Sequence, residues 1–218
     1  MAPRKLILPY SAPGEGDDAR RFAPSAGRNA AAIVAVLGRH APGRGRALEL
    51  AAGTGQHSVA CARAFPGLTW QPTDGSEDAL ASIAAWRAEA GLPNLAAPVL
   101  LDISELDWGR SLGGQDLVFA ANLLHLISLA EAQSVLGGMA RVLVPGGTAA
   151  LYGPFRRGGA LTSPGDIAFD ANLRGQDPAI GYKDDAWVLA TGETEGLLPV
   201  TVEEMPANNL CFIFRRPV

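Results

Sequence analysis

The chain has 218 residues, 48% of them hydrophobic and 18% charged, enough for one large domain whose core needs no disulfide. Its formal charge of -4 provides no basic footprint for nucleic acid or anionic lipid, and no stretch approaches the roughly 20 apolar residues of a membrane helix. Cys61 and Cys211 match no metal-ligand spacing and are too few for a secreted disulfide framework, which points to a reducing cytoplasm.

Residues 1–24 hold only the short apolar run Leu6-Ile7-Leu8, and Pro, Gly and charge dominate from Pro9 to Arg21. They read as a leader with the character of a lid, not as a signal peptide. Residues 25–218 read as a single domain. A helix over Ser25 to Arg39 comes first, followed by short apolar runs alternating with helix-length segments. That alternation is the mark of parallel strands joined by crossover helices, an α/β architecture with helices on both faces of the sheet. The expected strands are Ala47 to Ala51, Leu68 to Thr73, Pro98 to Ile103, Asp116 to Ala121 and Thr148 to Gly153; the expected helices are Ser58 to Phe65, Ser76 to Ala90 and Leu129 to Val142. Pro145-Gly146-Gly147 is expected to end the last helix before the fifth strand. Gly158 to Asp184 is long for a strand-to-helix connection and reads as a loop insertion. The alternation then breaks: strands at Val200 to Met205 and Leu210 to Phe214 are separated only by Pro206-Ala207-Asn208-Asn209, so they form an antiparallel hairpin.

The first strand runs into Ala51-Ala52-Gly53-Thr54-Gly55-Gln56-His57 and then a helix. Glycines here let a ligand approach the backbone, and free N–H groups at the helix start favour an anionic group. A dinucleotide fingerprint needs a third glycine where this chain has Ser58, which argues against a nucleotide-dependent reductase. Asp74 ends the second strand, where a carboxylate accepts both protons of a ribose. Asp102 ends the third, placed for an exocyclic amine, with Ile103 beside it to pack on the adenine face. Each acid taken alone also suits a helix cap or a turn. Glu49 interrupts a strand covered on both faces, a costly place for a carboxylate unless it is hydrogen-bonded; there it orients the loop or receives an ammonium through water. These features match S-adenosyl-L-methionine, which carries a carboxylate, an ammonium, a ribose and an adenine amine but no pyrophosphate.

Beyond the loop, the chain resembles class I S-adenosylmethionine-dependent methyltransferases, and more closely the methyltransferase-like protein 26 family. The resemblance rests on Arg21-Phe22-Ala23-Pro24-Ser25-Ala26-Gly27-Arg28-Asn29, Leu48 to His57, Trp70-Gln71-Pro72-Thr73-Asp74, Ala121-Asn122-Leu123-Leu124-His125, Tyr152-Gly153-Pro154-Phe155-Arg156-Arg157 and Met205-Pro206-Ala207-Asn208-Asn209. It implies a Rossmann-like, seven-stranded, mostly parallel sheet closing in the antiparallel hairpin, and a cofactor site on Gly53, Gly55, Asp74, Asp102 and Asn122. Ala51 stands where the wider superfamily commonly has glycine. The candidate cofactor-binding set is Arg28, Glu49, Gly53, Thr54, Gly55, Asp74, Asp102, Ile103 and Asn122.

Methyl transfer from a sulfonium is an in-line displacement, so the protein aligns the acceptor and manages its proton. The expected candidates follow the fourth and fifth strands: His125 as a base near neutrality, Tyr152 to orient the nucleophile, and Arg156 to pair with a negative group on a small-molecule acceptor. The competing roles are a structural histidine for His125 and a guanidinium packed on Asp166 or Asp170 for Arg156. His57 is expected to order the loop or touch the cofactor, and Trp70 and Trp86 to pack. The leader and residues 158–184 both flank the strand-end face and are expected to cover it together. The sequence thus describes a methyltransferase acting on a small molecule, or alternatively a scaffold that keeps the cofactor pocket without efficient transfer.

Overall fold

The computed structural model describes residue 6, residues 12–13, residues 19–105 and residues 107–218, so the predicted leader lies largely outside the described residues. A two-residue strand, β1 (Ala12–Pro13), pairs antiparallel with β2 (Arg21–Phe22). The helix α1 (Pro24–His40) follows, opened by a proline whose fixed φ suits the first helical turn. The main elements are then β3 (Gly45–Leu50), α2 (Gln56–Ala64), β4 (Leu68–Asp74), α3 (Glu77–Ala90), β5 (Val99–Leu100), β6 (Gln115–Ala121), α4 (Leu129–Val142), β7 (Leu143–Pro154), α5 (Pro164–Gln176), α6 (Asp185–Thr194), β8 (Leu198–Glu204) and β9 (Asn209–Arg215).

Seven strands form one sheet in the order β5-β4-β3-β6-β7-β9-β8. The first five are parallel, and β9 runs antiparallel to both β7 and β8. Successive residues of the central strands face opposite cores. Leu48, Leu50, Val118 and Ala120 enter the core with Val135, Leu136 and Met139 of α4, while Ala47, Leu117 and Phe119 enter the core with Ile33, Val36 and Leu37 of α1. Burial on both faces explains why these strands read as nearly unbroken apolar runs. The helix ends carry their own signals: Ser76 accepts from the Ala79 amide at the start of α3, and Ser128 and Glu131 form a reciprocal capping box on α4.

Three expectations are corrected. The third strand shrinks to Val99–Leu100, an exposed sheet edge, where short strands are the rule because unpaired backbone groups face water. Pro145-Gly146-Gly147 does not separate α4 from its strand: α4 ends at Val142, and these residues lie within β7, where the pairing jumps from Gln115–Leu143 to Leu117–Thr148. Gly146, at φ +77, supplies the left-handed backbone of that bulge. Finally, the stretch 158–184 is not one loop, because thirteen of its residues form α5. Ser163 caps it by accepting from the Asp166 amide, and Pro164 occupies its first turn.

Candidate functional site

The parallel strands end on one side of the sheet, and the loop after β3 is shaped by three left-handed residues, Ala51 (φ 50), Gly53 (φ 59) and Gly55 (φ 89). The two glycines serve different ends. A Cβ on Gly55 would stand 2.9 Å from the Ile83 Cα, so glycine there lets α3 approach. A Cβ on Gly53 would meet only the Ala51 carbonyl, at 4.0 Å, so its outer side is open. The Gly53 amide donates to Asp74 Oδ2 at 2.9 Å, and the Ser76 amide donates to Oδ1 at 3.0 Å. Burial raises the Asp74 carboxyl's pKa, against the pull of these amides. Two bonds leave an ionised carboxylate with accepting capacity for a diol.

Asp102 stands on the exposed loop after β5, its Oδ1 accepting from the Ser104 amide and hydroxyl at 2.9 and 2.6 Å. Those two bonds hold its pKa down and form the local turn that was the competing role. Both fall on one oxygen. Ile103 beside it is half-buried against the α4-side core. Glu49 lies beneath the loop, 1% exposed, and accepts from the Trp70 indole N–H at 2.6 Å. Burial pushes its carboxyl up to about 7, and Trp70 and Ser58 pull the other way. It ties β3 to β4 below the glycines, which fits the orienting role and leaves it closed from the surface.

The segment before α1 straps this loop. The Ala23 amide donates to Gln56 Oε1 at 2.7 Å, and the Thr54 hydroxyl donates to the same oxygen at 3.0 Å. The Arg21 amide donates to the Ser82 hydroxyl, which donates in turn to the Thr54 carbonyl. Trp86 donates to the Arg21 carbonyl and meets the Phe22 ring edge to face at 5.0 Å, while Arg20 lies over the indole and pairs with Glu89. Arg28 is exposed on α1. Its neighbour Asn29 is buried, and Asn29 Oδ1 faces His57 Nε2 at 2.7 Å. Burial raises the pKa of the Tyr152 hydroxyl, and the Asn29 side chain pulls the other way. Tyr152 packs in the core that α1 covers. Sequence reasoning missed Asn29, Gln56 and Ser82 as partners, since no period connects residues on separate elements; the Arg21 to Asn29 motif was the available signal.

At the end of β6, Asn122 adopts φ 55 and donates its amide to the Tyr152 carbonyl. His125 follows in a short 3-10 turn, buried between the Phe169 and Tyr182 rings at 5.8 and 6.0 Å. Burial, with the nearby Lys183 ammonium, pushes its pKa down to about 3, while Asp170 pulls upward. The imidazole thus sits buried between two rings, in an environment that favours its neutral form. Arg156 Nη2 donates to Asp170 Oδ2 at 3.0 Å, and Asp170 also accepts from Arg174 at 2.8 Å and from the Tyr182 amide at 2.6 Å. The guanidinium expected to meet the acceptor is engaged here by the protein's own carboxylate. Arg157 forks onto Glu204 at 2.8 and 2.9 Å. Leu6 packs against the cluster of Leu173, Ile180 and Tyr182, bringing part of the leader onto the α5 region. Among the described residues no group of His, Cys, Asp and Glu is arranged to hold a metal, and no helix is long and apolar enough to cross a membrane. Cys61 and Cys211 are buried and unpaired with each other.

The architecture is that of Rossmann-like methyltransferases. An O-methyltransferase family protein from Burkholderia thailandensis superposes with a TM-score of 0.74 at 18% identity, covering 86% of this chain and 56% of that one. The S-adenosylmethionine-dependent methyltransferase SibL in its apo form gives 0.73 at 22% identity, covering 89% and 56%. Human N-acetylserotonin methyltransferase, solved in complex with SAM, gives 0.67 at 13% identity, covering 87% and 52%. The chain spans little more than half the length of these neighbours. Residues 20–216 match the family described as protein of unknown function (DUF938), and the chain belongs to that family.

Proposed function

We propose that the chain is an S-adenosylmethionine-dependent methyltransferase acting on a small molecule, kin to the methyltransferase-like protein 26 family and working in the cytoplasm. Gly53 carries this reading: its left-handed backbone presents an open side at the strand ends while its amide is latched to Asp74. A side chain would fill the space over that amide, so the cradle suits a ligand lying against the loop. The donor set fits the cofactor. Asp74 keeps accepting capacity for the ribose, Asp102 keeps Oδ2 for the adenine amine beside Ile103, and Thr54, Gly55 and Asn122 border the same loop and strand ends. Glu49 steadies the loop from below, and Arg28, exposed on α1, is a further candidate contact. Neighbours solved with SAM or SAH, including PigF and CalO1, support the same cofactor.

When bound, the cofactor supplies a methyl group activated on a sulfonium. The chain's own work is to orient the acceptor and exclude water, and Tyr152, opposite Ala121 in the last pairing of β6 with β7, is its candidate for the first task. The contact of Leu6 with the α5 region supports a cover formed by leader and helix together. One observation favours a scaffold instead: His57 and His125 are both buried, with pKa values near 4 and 3, so neither is a strong base at neutrality. Calorimetry should show binding of S-adenosylmethionine and its demethylated product and none of NAD. Transfer of labelled methyl to an extract of small metabolites separates enzyme from scaffold; cofactor binding without transfer leaves the scaffold, and no cofactor binding ends both readings.

A further inference from the structure

Thr54 stands between the two left-handed glycines and is held by both its carbonyl and its hydroxyl. The carbonyl accepts from the Ser82 hydroxyl at 2.8 Å, and the Thr54 hydroxyl donates to Gln56 Oε1 at 3.0 Å. The same two side chains grip the backbone before α1: the Arg21 amide donates to the Ser82 hydroxyl at 2.9 Å, and the Ala23 amide donates to Gln56 Oε1 at 2.7 Å. The directions are fixed, because a backbone amide can only donate and a carbonyl can only accept. Ser82 must give its one proton to Thr54, and Gln56 must present its oxygen. Ser82 is fully buried on α3, next to Ile83, whose backbone Gly55 approaches. One turn further along α3, Trp86 takes hold of the strap again, donating to the Arg21 carbonyl at 3.1 Å and meeting the Phe22 ring. Phe22 is 45% exposed, and a segment with so little burial opens locally at low cost.

We infer that Ser82 and Gln56 are positioning residues of the cofactor site, which couple the docking of residues 20–23 to the conformation of Thr54 and the glycines beside it. With the strap docked, each side chain is fixed from two sides, and the loop is preorganised for a ligand lying over Gly53. With it undocked, each loses a partner, and Thr54 regains freedom that binding must then remove. Cofactor affinity therefore depends on Phe22, a residue outside the cofactor-binding set. The dependence runs both ways: the factor by which complete undocking weakens binding is the factor by which bound cofactor disfavours undocking. The coupling rests on the methyltransferase reading above.

Calorimetry with S-adenosylmethionine and amide hydrogen exchange read by NMR, both on the full chain, test the coupling. Phe22→Ala, a change at a half-exposed ring, should weaken binding about fivefold or more, and Ser82→Ala should do so at least as strongly. The double variant should lose little beyond Ser82→Ala, since the strap is already released. In the parent chain, saturating cofactor should slow exchange of the Arg21 and Ala23 amides by at least the factor that Phe22→Ala costs in affinity, an effect that a purely structural Ser82 would not produce. Phe22→Ala binding within about twofold of the parent, losses that multiply in the double variant, or strap amides indifferent to cofactor would each overturn the coupling and leave the methyltransferase reading standing. A parent chain that binds no S-adenosylmethionine overturns that reading and the coupling with it.

Discussion

After β3 and β5 the carboxylates accept from neutral donors, mostly backbone: Asp74 takes the amides of Gly53 and Ser76, and Asp102 takes the amide and hydroxyl of Ser104. Beyond β7 the pattern reverses, and Asp170 gathers Arg156, Arg174 and the Tyr182 amide, with His125 and Lys183 buried nearby. Backbone donors are neutral, so the first region keeps its negative charge and spare lone pairs for a ligand. Ion pairs consume charge, so the second is built for rigidity and shape. On the proposed reading, the polar recognition of a cofactor falls to the β3–β4 side, while the Arg156 guanidinium is already engaged by Asp170.

Five substitutions can break or sharpen that contrast. Asp170→Ala should have the largest effect, because removing one partner leaves the others with uncompensated charge in a largely buried place, at a cost of about 3–5 kcal/mol. Urea unfolding measures it; a loss below about 1 kcal/mol would mean that the ion pairs do not hold the region. Cofactor affinity should survive in the folded fraction.

Glu49 comes next, through pH. Its folded pKa near 7 lies above the ordinary 4.5, so between those values the folded chain keeps a proton that the unfolded chain releases, and stability falls as pH rises through the window. His57 and His125 act oppositely: their folded values near 4 and 3 lie below 6.5, and their contribution is lost as pH falls below 6.5. Glu49→Gln removes only the first effect. Its stability relative to the parent should grow by about 3 kcal/mol from pH 4.5 to pH 7; a constant difference would show that Glu49 ionises as an ordinary carboxyl.

Asp74→Ala should weaken S-adenosylmethionine binding by roughly 10- to 150-fold, the worth of one hydrogen bond to a charged acceptor. Unchanged affinity in calorimetry would remove it from the ribose. The smallest effects separate the two glycines. Gly55→Ala drives a Cβ against the Ile83 backbone and should cost about 1–3 kcal/mol of stability. Gly53→Ala meets no close atom and should cost about 1 kcal/mol of backbone strain, with most of its effect on cofactor binding. Equal thermal shifts for the two, with and without cofactor, would mean that Gly53 is also a packing glycine.

The β3–loop–α2 unit, Asp74 at the end of β4 and the closing hairpin were legible because each is local: a strand period, glycines before a helix, a connection too short for anything but antiparallel pairing. α4 was legible to the residue, its capping box written into Ser128 and Glu131. α5 was missed because only Asp170 and Leu173 are buried along it, leaving no apolar stripe, although Ser163-Pro164 with Asp166 is a helix-start signal. The roles of Arg156 and His125 were not legible for another reason. Which carboxylate claims a guanidinium, and how deeply a ring is buried, depend on how α5 docks, and neither follows from residues near Arg156 or His125 in sequence.

The position of β9 has a bearing on how the chain folds. It lies between β7 and β8, with Thr148 opposite Arg215 and Leu198 opposite the same residue, so a segment synthesised after the other six strands fills an interior slot of the sheet. Until it emerges from the ribosome, β7 lacks one neighbour and β8 has none, and the apolar face formed by Cys211, Ile213, Ala150 and Tyr152 is incomplete. Loop closure over so long a separation is slow, and unpaired strand edges at that stage invite association with other chains. A nascent chain stalled before β9 should therefore be the species that chaperones engage, with release following the insertion of a single strand.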